Sequence, residues 1–129
     1  MDQGEYDRLT QRILNCAFAV HTELGPGLLE STYQACMLYE LGKAGLKAVG
    51  QVPLAVVYDG RKLLEVGYRM DIVVEDVVVL ELKSIEGIAP LHRAQLLSYL
   101  RHSGMRVGLL INFNVERLKD GIVRQVNRF

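Results

Sequence analysis

The sequence predicts an α/β fold, with a central mixed β-sheet flanked by helices. Three observations carry that expectation. Apolar residues recur at three- and four-residue steps through the first third of the chain, then at two-residue steps, and later a helical stretch separates two strongly apolar strands. At 129 residues the chain is expected to form a single domain, 1–129, around one continuous core.

Leu9, Ile13, Cys16, Ala17, Val20 and Leu24 mark one face of a first helix over residues 6–24, which Gly25-Pro26-Gly27 stops. A second helix is expected from about Leu28 to Ala44, with Leu29, Tyr33, Cys36, Met37 and Leu41 on its apolar side and Gly45 as end cap. Gln51 to Tyr58 reads as a strand, and Pro53 in it suggests an edge position or a bulge. Asp59-Gly60 is a hairpin signal leading into a strand from about Leu63 to Val74. Glu75-Asp76 turns the chain into a third strand, Val77 to Ser84.

Pro90 suits the first position of a helix that runs to about His102 and ends at Gly104. Arg106 to Asn112 is a strongly apolar strand, Phe113 to Asp120 a connecting loop, and Gly121 to Asn127 a further strand. Three strands joined by tight turns are antiparallel, and the Pro90 helix then permits a crossover to a parallel neighbour.

Half of the residues are hydrophobic and 23% are charged, an ordinary balance for a folded protein. No apolar run reaches the roughly 20 residues that span a bilayer. The amino terminus is acidic where a secretory signal would be basic, so a cytoplasmic location without membrane partners is expected. Formal net charge is zero, with −5 over residues 1–89 and +5 over residues 90–129. Such a chain should not coat DNA indiscriminately, because non-specific affinity comes from neutralising phosphates.

Cys16 and Cys36 are expected to be buried thiols. Three scattered histidines and two cysteines argue against zinc. His21, beside the apolar stripe of the first helix, either faces a site or is a satisfied interior residue. His102 suits a helix end, where it complements the dipole.

The third strand carries the chemistry. Val77, Val78, Val79, Leu80 and Leu82 mark a central, buried strand, and Glu81 and Lys83 interrupt it on one face. Burying such ions costs several kcal/mol each unless they find partners. On the preceding strand Asp71 stands among apolar residues, and the hairpin brings it alongside Glu81. Two adjacent carboxylates need a shared proton or a cation, and a hard ion such as Mg²⁺ (or Mn²⁺) suits them. Lys83 is placed to stabilise developing negative charge or to orient a water. A two-residue turn at Glu75-Asp76 would pair Asp71 with Leu80 and point it away from Glu81, so a longer turn or a bulge near Asp71 is required. The bland reading is a modest Glu81–Lys83 surface pair.

Asp71 followed by Glu81-Leu82-Lys83 resembles the D…E-x-K core of the PD-(D/E)XK nuclease superfamily, with Met70 where the superfamily name has Pro. Gly27-Leu28-Leu29-Glu30-Ser31-Thr32-Tyr33 resembles the signature of the GxxExxY protein family. Gln51-Val52-Pro53-Leu54 and Gly108-Leu109-Leu110-Ile111-Asn112-Phe113 look like that family too. The resemblance implies a restriction-endonuclease-like core and a Mg²⁺-dependent nuclease, with DNA ahead of RNA as substrate. It implies catalytic roles for Asp71, Glu81, Lys83 and Glu30, and a metal shell of Asp71, Glu81, Glu30 and the Leu82 carbonyl. Gln95-x-x-x-Tyr99 resembles the Q-x-x-x-Y motif of repair-type nucleases, which implies substrate contacts by Gln95 and Tyr99, with Tyr33 beside Glu30. The alternatives are a non-catalytic nucleic-acid-binding or assembly module, or a nuclease that needs a partner or homodimer to complete its groove.

Overall fold

The computed structural model describes residues 1–128. The chain runs α1 (Gln3–Leu24), α2 (Glu30–Lys43), β1 (Ala48–Tyr58), β2 (Arg61–Val74), β3 (Val78–Lys83), α3 (Pro90–Ser103), β4 (Val107–Asn112), a 3-10 turn (Leu118–Gly121) and β5 (Ile122–Val126). The turn occupies part of the stretch expected to be a plain loop. The five strands form one sheet in sequential order, with β3 and β4 parallel and every other pair antiparallel. No helix among the described residues is long and apolar enough to cross a membrane.

Local chemistry explains the boundaries. Asp2 caps α1 by accepting the Glu5 amide at 2.8 Å, and Gly25, at φ 70°, closes it with a bond to the His21 carbonyl. Pro90 opens α3, where His92 Nδ1 accepts the Ala89 amide at 2.9 Å. Asp59 and Gly60 both take positive φ, as a two-residue hairpin turn requires. Pro53 lies on β1, an edge strand whose register slips between Leu54 and Val57.

The sheet separates two cores. α1 and α2 cover one face, where Ile13, Tyr33, Met37 and Leu41 meet Ile72, Leu80, Leu82, Leu109 and Phe113. α3 covers the other, where Leu96, Tyr99 and Leu100 meet Leu54, Met70, Val73, Val79 and Leu110. Cys16 is buried, whereas Cys36 is only partly so, because it lies at the margin of the first core.

The side-chain alternation changes phase at one level of the β1–β2 pair. On β2, Ile72 and Val74 face α1 and α2, yet Met70 faces α3 with Val73. On β1, Ala48 packs toward the first core and Val52 and Leu54 toward the second. The register is unchanged across the break, since Gly50 pairs with Ile72 and Val52 with Met70. Gln51, at φ 52°, stands at the break on β1, and Asp71 stands at it on β2. Beyond this level the hairpin extends as a two-stranded ribbon whose Val57, Tyr58, Leu63 and Leu64 are exposed.

Candidate active site

The turn between β2 and β3 decides where Asp71 points. It has three residues, Glu75, Asp76 and Val77, because Val74 pairs with Val78. Glu75 and Asp76 accept positive φ, and the Val77 amide closes the turn onto the Val74 carbonyl at 3.0 Å. The pairs Val73–Val79 and Ile72–Leu80 follow, so the next level sets Asp71 opposite Glu81. The longer turn and the irregularity at Asp71 are both present, and together they bring the two acids to one place.

At that level the carboxylates replace the ladder. Glu81 Oε1 accepts the Asp71 amide at 3.1 Å, and Asp71 Oδ2 accepts the Leu82 amide at 2.8 Å. Each acid thus replaces a strand-to-strand bond that the backbone would otherwise make, which satisfies the amides of a splayed sheet. Glu81 is buried and Asp71 partly so.

Burial is the largest influence on both acids. It lifts Glu81 from 4.5 to about 8, with the neighbouring Asp71 charge pushing the same way and Lys83 opposing. Asp71 is also raised, chiefly by burial, while the Leu82 amide and Lys83 pull it down. Tyr99, on the facing helix, is raised by burial and then by the Glu81 and Asp71 charges. The pair therefore holds a proton near neutral pH unless a cation replaces it.

Lys83 is half-buried at the end of β3 and, among the described residues, makes no ion pair. Its charge nonetheless acts on both acids. It is not the partner in a closed Glu81–Lys83 surface pair.

The remaining expectations fare differently. Glu30 opens α2 and turns its Oε2 to the Ser84 amide at 3.4 Å, close enough to raise Asp71 by its charge. Among the described residues no three His, Cys, Asp or Glu side chains converge to hold an ion. What the structure shows of Leu82 is its amide, given to Asp71. Tyr33 is fully buried and stacks on Phe113 with centroids 4.4 Å apart. Its hydroxyl donates to the Gly25 carbonyl at 2.6 Å and accepts the Leu28 amide at 3.2 Å. The expected substrate contact by Tyr33 is therefore corrected: the ring is core, and the hydroxyl shapes the Gly25–Leu28 loop.

Tyr99 is buried too, packed on Tyr68 at 5.2 Å, so it borders the carboxylates without offering a stacking surface. Gln95 lies exposed on α3. His92 is engaged in capping. His21 is an interior residue bonded to the Val115 carbonyl at 2.8 Å, and His102 lies in the last turn of α3 against Tyr68.

Sequence reasoning missed Asn112, at the end of β4 beside Lys83. It is 1% exposed, accepts the Ile85 and Asn114 amides at 3.1 and 3.2 Å, and donates to the Ile85 carbonyl at 3.0 Å. It thereby fixes the chain just after Lys83. The available signal was a polar side chain ending an otherwise apolar strand.

A family model described as the PD-(D/E)XK nuclease superfamily matches residues 7–125. Searches of curated proteins and of solved structures found no match. The matched span contains both acids, Lys83 and nearly all of the five-stranded sheet and its three helices, missing only the start of α1 and the last residue of β5, in a restriction-endonuclease-like arrangement. On that match and that architecture, the chain belongs to the PD-(D/E)XK nuclease superfamily.

Proposed function

We propose that the chain hydrolyses phosphodiester bonds of nucleic acid, DNA first, with Mg²⁺ or Mn²⁺ held by Asp71 and Glu81. The observation that carries the reading is the pair itself. Two carboxylates are pinned to main-chain amides across a splayed strand pair, with burial raising both. A buried like-charged pair is relieved by a cation, and two carboxylates with water and phosphate oxygens are a typical Mg²⁺ environment. The donor set therefore fits a hard divalent ion. Such an ion would supply Lewis-acid charge at the scissile phosphate and lower the pKa of a water.

The chain's own groups do the rest. Lys83, beside the acids and without an ion pair among the described residues, orients the attacking water and offsets negative charge on the phosphate. Glu30 and Asn112 hold the segment after Lys83 through Ser84 and Ile85. Tyr99, buried on α3, lies within electrostatic reach of both acids.

The test is cleavage of DNA and RNA by purified protein with Mg²⁺ and with a chelator. Ala at Asp71 or Glu81 should abolish turnover, and Ala at Lys83 should lower it about a hundredfold or more, while a cooperative thermal melt persists. Full activity in Asp71→Ala would overturn the mechanism. A second reading, a non-catalytic binding module, draws on the absence of a third converging acid among the described residues. Calorimetry separates the two, since Mg²⁺ binding at Asp71 and Glu81 is expected of the nuclease.

A further inference from the structure

No Asp or Glu occurs between Glu86 and Glu116, so α3 and the strand after it carry cations alone. At the carboxyl end of α3 a groove of about 720 Å³ lies between Leu97, Arg101 and Gly104 on one side and Val126, Asn127 and Arg128 on the other. Arg101 and Arg128 are exposed, and neither forms an ion pair among the described residues. By contrast Arg124, on β5, pairs with Asp7 at 2.8 Å. Arg106 adjoins the groove, since its carbonyl accepts the Asn127 amide at 2.7 Å. The helix dipole explains a cation at the end of α3 but not a second one brought from beyond β5.

The placement relative to Asp71 and Glu81 follows from topology. β3 and β4 are parallel, so α3 returns the chain from the Lys83 end of the sheet to the opposite end. The exposed Gln95 lies between the two ends.

We propose that this groove is a secondary anchor for the nucleic-acid backbone, gripping phosphates other than the one at Asp71 and Glu81. The occupant is a polyanion, because the groove offers two unpaired guanidiniums, an amide side chain and no acid. The inference rests on the nuclease reading and concerns substrate length rather than chemistry.

The experiment compares wild type with the double variant Arg101→Ala/Arg128→Ala on two substrates, an oligonucleotide longer than α3 and bis(para-nitrophenyl) phosphate. The oligonucleotide KM should rise about tenfold, and the slope of log affinity against log salt should fall by about two, one per lost phosphate contact. Turnover of the small diester should not change. An unchanged KM and salt slope for the oligonucleotide would overturn the anchor while leaving the nuclease intact. Should wild type cleave neither substrate, the nuclease reading fails. The anchor is then judged by oligonucleotide binding in chelator, where an unchanged salt slope refutes it and a reduced one supports it.

Discussion

Glu81 accepts the main-chain N–H of Asp71, the acid it faces across the β2–β3 gap, at 3.1 Å. The two residues are thus joined through backbone as well as through charge. The Leu82 amide returns the bond to Asp71 at 2.8 Å, so neither carboxylate moves without releasing an amide.

Stability without metal should fall as pH rises. Glu81 titrates near 8 in the fold against 4.5 ordinarily, so between those values the native state holds the extra proton. Stability is full below about 4.5 and is lost through about 8, the negative slope expected when the unfolded chain binds fewer protons. Asp71, also raised, acts in the same direction. Chemical denaturation in chelator across this window should show a loss on the order of a few kcal/mol. Glu81→Gln should flatten most of it, and a slope unchanged in that variant would contradict the assignment.

Magnesium binding should release about one proton below pH 8, because the ion displaces the proton held on Glu81. Affinity should then rise about tenfold per pH unit up to that point. Calorimetry in buffers of different ionisation heat measures the proton count. Asp71→Asn and Glu81→Gln should each remove the binding heat.

Lys83→Ala should lower kcat about a hundredfold or more with little change in melting temperature, since its ammonium makes no ion pair among the described residues. Steady-state kinetics beside a thermal melt decides this. A large melt shift would make Lys83 structural.

Tyr33→Phe should cost about 1–2 kcal/mol, because the Gly25 carbonyl and Leu28 amide, in part-buried hydrogen bonds, both lose their partner. Cleavage at a temperature well below the melt should persist, as the hydroxyl serves the loop. Loss of turnover with an unchanged melt would restore a substrate role.

Asn112→Leu should cost about 2–4 kcal/mol, since three hydrogen bonds to a buried side chain vanish at once. Hydrogen exchange at the Ile85 and Asn114 amides should accelerate before global unfolding. Equal protection in the variant would argue that another group holds the loop.

Much of this was legible in the sequence, for physical reasons. Helix ends at Gly25 and Gly104 are written in glycine and proline, and the central strand is written in valine and leucine. The Asp71–Glu81 pairing required an irregular turn, and the parity of strand geometry was enough to demand one. Tyr33 was ambiguous because it shares a side of α2 with Glu30 and also belongs to the Met37–Leu41 stripe; burial chose the stripe. Leu29, assigned to that stripe, is exposed because it precedes the helix as its cap residue. The phase change at Gln51 left no sequence signal, since it depends on one non-glycine residue taking positive φ. Glu30 was placed correctly on its helix, but side-chain direction within a turn is set by the nearest donor, here Ser84.

The break in alternation at Gln51 and Asp71 separates two packing problems that a regular sheet would tie together. Val52, Leu54, Tyr68 and Met70 pack toward α3, while the strands on the inner side of the break pack on both faces, against α1 and α2 and, through Val73, against α3. Matched insertions or deletions in the outer hairpin would leave Asp71 aimed as it is. That half of the ribbon is free to drift, be exchanged or acquire new side chains while the Asp71–Glu81 pair stays put.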